Sequence, residues 1–246
     1  MVNFASTQKF YVSSHRGAPD ISPEGSIISI QNAIDLGCDI IEIDVRPSKD
    51  GVFYNFHDSV FDRNTDSTGV FCNKLSKEID QINLIKYSKN SRLIEKIPKV
   101  EEILRIFDKK IYFYFDIKPE TDIDSFMQLV KKYKLIDRCF FWFKSKEVLS
   151  EFVRKHPFYS VKVNVDSLAD AIKYTKLYNP TILECSLQNY SKDIYAYCRK
   201  QRIKLMLSIH NKERNFSYIQ FKYKFHIVNV HNLKPLVCLK NKNKGA

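Results

Sequence analysis

The feature that most narrows the fold is a rhythm: apolar, β-rich runs and helical patterns take turns from one end of the chain to the other. Strands are predicted at Phe10–Ser14, Ile40–Val45, Phe53–Phe56, Lys110–Ile117, Cys139–Phe143, Tyr159–Val163, Thr181–Glu184, Ile203–Ile209 and His226–Val230. Helices are predicted near Ser26–Leu36, Val100–Phe107, Asp122–Tyr133, Lys146–Arg154, Leu168–Tyr178, Ser191–Lys200 and Lys212–Phe221. Thr121 is the expected N-cap of the third helix. Alternation repeated about eight times with short connections predicts an α/β fold, a parallel TIM (β/α)8 barrel rather than an open sheet. A chain of 246 residues is long enough for one such barrel, and a hydrophobic fraction of 44% can fill its core. Ser59–Lys96 breaks the rhythm. It is polar and irregular, and predicts a small inserted excursion above the barrel mouth. No stretch reads as a linker, so a single domain over residues 1–246 is expected.

Charge and cysteine content limit the partners. A net charge of +12 favours anionic ligands through long-range attraction, but the lysines are spread along the chain. The one cluster, KNKNKGA at the C-terminus, reads as a solubilising tail. No basic stripe interleaved with aromatics argues for specific nucleic-acid binding. Apolar runs fall short of the roughly 18 residues a membrane span needs, so no transmembrane segment is expected. MVNFASTQKFYVSSHRG lacks the basic-then-apolar order of a secretory signal, and a cytoplasmic location is the expectation. Six cysteines without a C-x-x-C pair argue against a zinc knuckle, and disulfides are not expected.

Barrels of this kind gather chemistry at the carboxyl ends of their strands. His15 and Arg16 follow the first strand in SSHRGAP, and His57 follows FYNF. Glu42 and Asp44 in IIEIDV are two apart, as are Asp116 and Lys118 in FDIKP, so each pair shares one face of its strand. Two like charges on one apolar strand are costly unless something compensates them. Either the strand is half exposed with a wet face, or a cation lies between the carboxylates.

The motifs HRG (His15–Gly17), PEGS (Pro23–Ser26), AIDLGCDIIEIDVRPSKDG (Ala33–Gly51), FHDSVFDRNTDSTG (Phe56–Gly69), IPKVEEIL (Ile97–Leu104) and FDIKP (Phe115–Pro119) resemble those of the glycerophosphodiester phosphodiesterase family. The resemblance is dense over the first half of the chain and thins afterwards. It implies a TIM barrel and metal-dependent hydrolysis of glycerophosphodiesters to sn-glycerol 3-phosphate and an alcohol. By this resemblance Glu42, Asp44 and Asp116 are the metal ligands, and hard carboxylate oxygens suit one Mg2+ or Ca2+. His15 and His57 match the family's general acid and base. Arg16 and Lys118 are expected to hold phosphate oxygens, with Glu24 binding substrate or orienting Arg16. The expected partner is a small phosphodiester. Alternatives are a lysophospholipid, a surface-glycan phosphodiester, or a barrel that only binds.

Other features have plainer readings. Asp58 is either a further ligand or a turn cap, Asp50-Gly51 is a hairpin turn, and Arg63 and Thr65 pin the inserted loop. Phe141, Trp142 and Phe143 are read as packing. His156, His210, His226 and His231 receive no role. Departures from the family pattern stand at Asp116, where a glutamate is usual, at PEGS, at Leu207–Asn211 and at His231, where an aspartate is often found. The later departures are expected on the side facing the alcohol substituent.

Overall fold

The structure, a computed structural model, describes residues 1–4, 10–87, 91–209, 219 and 222–233. In chain order its elements are β1 (Tyr11–Ser14), α1 (Ile27–Asp35), β2 (Ile40–Pro47), β3 (Phe53–Asn55), α2 (Ser76–Ile79), β4 (Asn83–Tyr87), β5 (Arg92–Lys96), α3 (Val100–Phe107) and β6 (Tyr112–Ile117). There follow α4 (Ile123–Lys132), β7 (Cys139–Phe143), α5 (Lys146–Lys155), β8 (Ser160–Asn164), α6 (Leu168–Tyr178), β9 (Ile182–Ser186), α7 (Lys192–Lys200), β10 (Lys204–Ile209) and β11 (Ile227–Val230). The helix expected over residues 212–221 lies outside the described residues apart from Ile219, as do His210 and the KNKNKGA tail.

Eight strands, β1, β2 and β6 to β11, pair in parallel and close into a ring, because β1 pairs with β11 on one side and with β2 on the other. This is the predicted barrel. The short strand after the second, β3, is not part of the ring: it folds back antiparallel on β2. Its turn is the Asp50-Gly51 hairpin expected from the sequence, with Gly51 at φ +82° and its N–H donating to the Ser48 carbonyl. A side chain at that φ would be strained, hence glycine.

Strand alternation divides the core in two. Val12, Ile41, Ile43, Phe113, Phe115 and Phe141 face outward into the helices. Helix α3 shows how the helices answer: Val100, Ile103, Leu104 and Phe107 are buried at helical spacing, while Glu101 and Glu102 in its first turn and Arg105 in its last suit the helix dipole. Each such buried side chain contributes about 1.5–3 kcal/mol. The opposite strand face points into the barrel, where Tyr11, Ile40, Tyr114, Phe140, Ile182, Met206 and Ile227 form a closed apolar floor. Tyr114 and Phe140 stack there at 5.0 Å.

The segment 59–96 is more ordered than its composition predicts. β4 and β5 form an antiparallel hairpin, and a separate small core joins Tyr54, Phe56, Phe61, Phe71, Ile79, Ile82, Leu84 and Ile97. Phe71 stacks on Phe56 at 4.8 Å and on Phe61 at 4.9 Å. These aromatics follow neither helical nor strand spacing, so periodicity misses them. Thr121 is not the cap of α4. Asp122 caps it, accepting from the Asp124 and Ser125 N–H groups, whereas Thr121 Oγ1 donates to the Val45 carbonyl. None of the five described cysteines is in a disulfide, and no helix among the described residues is long and apolar enough to cross a membrane.

Candidate active site

The first motif is shaped by a turn. Immediately after β1, Arg16 and Gly17 take left-handed φ values of 62° and 84°. A Cβ on Gly17 would lie 2.5–2.9 Å from Ser29, so only glycine lets α1 pack this close. The turn aims His15 and Arg16 at the mouth. Asn55, a residue given no role from the sequence, fixes the next loop: its Oδ1 accepts from the Asp44 N–H at 2.8 Å and its Nδ2 donates to the Gly25 carbonyl at 2.8 Å.

Glu42 and Asp44 share the interior face of β2, and Asp44 is in register with Asp116 on β6. One oxygen from each of Glu42, Asp44 and Asp116 lies within 4.8 Å of the others, and the residues are only 4%, 2% and 6% exposed. The half-exposed-strand reading therefore fails. Burial, aided by the charges of Asp44 and Asp116, pushes the Glu42 carboxyl well above its usual range. Burial and Asp44 likewise raise Asp116. Burial would raise Asp44 too, but Lys118, Arg16 and His57 outweigh it and hold Asp44 at about 2. Glu42 Oε2 and Asp116 Oδ1 are buried without a hydrogen-bond partner. Buried carboxylate oxygens in that state fit a hard divalent cation.

Lys118 Nζ sits between two of these carboxylates, 2.6 Å from Asp44 and 2.7 Å from Asp116. Burial alone would lower its pKa, but the two carboxylates more than offset this and raise it. Arg16 approaches Asp44 at 3.6 Å through Nε and Glu24 at 3.3 Å through its terminal nitrogen. Glu24 thus meets Arg16. On its other side it accepts from Arg63, which also donates to Asp58. Arg63 does more than pin a loop: it links the PEGS segment to the histidine motif. Arg16, Glu24, Asp44, Asn55 and His57 line one cleft at the mouth.

Each of the two predicted acid–base histidines has its Nδ1 engaged. His57 Nδ1 lies 2.6 Å from Asp58 Oδ1, so Asp58 orients a histidine and stands outside the three-carboxylate cluster. Burial would raise the Asp58 carboxyl, yet hydrogen bonds from Arg63 and His57 prevail and lower it. His15 Nδ1 lies 3.0 Å from Nδ1 of His231, and its Nε2 is 3.9 Å from Glu42. The departure at His231 therefore touches a predicted catalytic histidine directly.

Beneath the carboxylates runs a second buried charge pair to which the sequence motifs assign no role. Lys162 on β8 donates to Glu184 on β9, both at most 4% exposed. Lys162 Nζ also lies 4.7 Å from the Tyr114 ring centre and 5.4 Å from that of Trp142. Trp142 accordingly faces the interior, unlike Phe141 and Phe143, which pack outward. Lys162 and Glu184 alternate with apolar neighbours, and that period of two is the signal in the sequence that could have found them.

The model of the glycerophosphoryl diester phosphodiesterase family matches residues 15–177, which include every site residue predicted above. The glycerophosphodiester phosphodiesterase of Caldanaerobacter subterraneus is 28% identical over 183 residues, covering 72% of this chain and 70% of that protein. The chain spans about 44% of the length of the Bacillus subtilis relatives it matches. A glycerophosphodiester phosphodiesterase from Agrobacterium tumefaciens has the same fold, with TM-score 0.84, 23% identity and coverage of 93% and 99% of the two chains. So does an Oleispira antarctica phosphodiesterase solved with the product sn-glycerol-3-phosphate, with TM-score 0.79, 18% identity and coverage of 94% and 96%. With the match beginning at His15 and running through both carboxylate-bearing strands, the chain belongs to the glycerophosphoryl diester phosphodiesterase family.

Proposed function

We propose that the protein hydrolyses glycerophosphodiesters to sn-glycerol 3-phosphate and an alcohol, with one divalent cation, Mg2+ or Ca2+, held by Glu42, Asp44 and Asp116. The observation that carries this reading is the buried three-carboxylate cluster, with orphaned oxygens on two of its members and a histidine on either side. When bound there, the cation supplies Lewis-acid polarisation of a phosphoryl oxygen. The remaining roles belong to the chain. Arg16 and Lys118 present positive charge beside the same cluster and would hold the non-bridging phosphate oxygens. His15 and His57 are both bonded at Nδ1, which leaves Nε2 of each as the atom that would exchange a proton with the reacting groups. One takes the proton of the attacking hydroxyl, from water or from the substrate's neighbouring carbon, and the other delivers a proton to the leaving alkoxide. Glu24 orients Arg16 and Arg63 rather than meeting the reacting atoms. The product held by the Oleispira antarctica enzyme supports the choice of product.

The test is a panel of glycerophosphodiesters differing in head group, assayed for sn-glycerol 3-phosphate release. Release from at least one supports the reading, and the ranking identifies the alcohol. Silence on the whole panel, with turnover of a lysophospholipid or glycan diester instead, would replace the substrate while keeping the chemistry.

A further inference from the structure

We propose that His231 is a positioning residue for His15: it accepts the Nδ1–H of His15 and so fixes Nε2 as the atom through which His15 moves its proton. This rests on the reading of His15 as one member of the acid–base pair.

The contact is built by barrel closure. β1 and β11 run in parallel with Ser13 opposite Asn229 and Ser14 opposite Val230, and the His15 N–H donates to the Val230 carbonyl at 2.9 Å. Continuing that register puts His15 and His231 side by side on the two strand ends. Their Nδ1 atoms are 3.0 Å apart, and the ring planes are tilted by 48° with centres 5.3 Å apart, so the rings meet edge to edge through nitrogen and do not stack. Two Nδ1 atoms at that distance share one hydrogen, and one ring must accept. If His231 donated, the bond would break whenever His15 took up a second proton. If His231 accepts, the bond survives in both states of His15 and stabilises the charged one. Partial burial, the largest influence on His231, also disfavours its charged form, in keeping with an acceptor.

His57 makes the same bond to Asp58, with a carboxylate as acceptor. The two histidines thus have the same tautomer enforced by partners of different charge, one anionic and one neutral. This gives the pair distinct electrostatic surroundings without any difference in ring geometry.

The experiment compares H231N, H231D and H231L. Asparagine sets Oδ1 close to the former Nδ1 and aspartate offers a carboxylate acceptor, whereas leucine offers none. H231L is expected to lose about ten- to a hundredfold in kcat with KM changed by less than about twofold, while H231N and H231D stay within about threefold of wild type. The second readout is the 15N spectrum of the His15 ring in metal-free protein, which needs no substrate. Wild type and H231N should show the Nδ1–H form, and H231L a mixture of tautomers. An unchanged His15 spectrum in H231L overturns the proposal, and so does equal loss of kcat in all three variants. If wild type releases no sn-glycerol 3-phosphate from any diester, the functional reading falls, and the spectra alone then decide the histidine pair.

Discussion

The barrel strands carry different chemistry at their two ends, and the contrast is sharpest on β2 and β11. On β2 the interior face begins at Ile40, packed in the floor with Tyr114 and Phe140, and four residues later reaches Asp44 in the carboxylate cluster. On β11 His226 stands just before the first residue and His231 just after the last. At the floor end, the His226 Nδ1 accepts the Leu205 N–H at 2.9 Å, and burial holds its pKa down at about 4. At the rim end, His231 meets His15. The floor is apolar and closed, whereas the rim gathers buried charge. Lys162 and Glu184 lie between the two as a buried ion pair.

If the two ends are functionally separate, substitutions should sort accordingly. The largest effect belongs to the rim: H15A and H57A should each cut kcat by about 10²–10⁴-fold with unfolding curves close to wild type. Near-normal turnover in either would remove that histidine from the acid–base pair. Phe140→Ala at the floor should show the opposite sign of damage, about 3–5 kcal/mol less stable by denaturant titration yet normal in kcat per folded molecule. A catalytic defect there at full folding would show the ends to be coupled. Within the rim, D116N should raise the cation concentration for half-maximal rate by about tenfold or more, and D58N by less than about threefold while lowering kcat. Equal shifts would mean that the coordination shell is drawn wrongly.

The smallest effect is a pH dependence at the floor. The His226 pKa is lowered in the fold, so the unfolded chain binds the extra proton first. Its stabilising contribution is complete above the ordinary imidazole range and is lost as pH falls from about 6.5 towards 4. After allowance for the half-buried ring, the loss should be about 1–2 kcal/mol. H226N keeps an acceptor for the Leu205 N–H and removes the titration, so its stability should fall less than that of wild type over the same interval. Parallel decline in both proteins would place the acid sensitivity elsewhere.

Much of the barrel and its rim is legible in the amino-acid sequence. Strand–helix alternation predicts the barrel, and the strand-end motifs name Glu42, Asp44 and Asp116, which the fold brings within 4.8 Å of one another. A local pattern places Glu42 and Asp44 on one strand face, since they are two apart, and the family resemblance adds Asp116. What escapes depends on closure and on partner choice. His231 is 216 residues from His15 and becomes its neighbour only because β11 returns to β1. Asp58 is visible, but ligand, cap and histidine partner look alike in FHD until Arg63 fixes the carboxylate. Lys162 and Glu184 stand at alternating positions of predicted strands, but their pairing emerges only once β8 and β9 lie side by side. The β4–β5 hairpin hides in a polar segment whose small core draws on aromatics at irregular spacing.

The central claim is that a cation in the carboxylate cluster makes the rim catalytic. The most direct measurement strips the protein with chelator, then titrates Mg2+ or Ca2+ while following both unfolding temperature and sn-glycerol 3-phosphate release from a responsive diester. The account predicts negligible release in chelator, and a rise in stability and turnover together with a single midpoint, because the same ion relieves the Glu42 and Asp116 burial and serves the phosphate. Turnover that persists undiminished in chelator would contradict it.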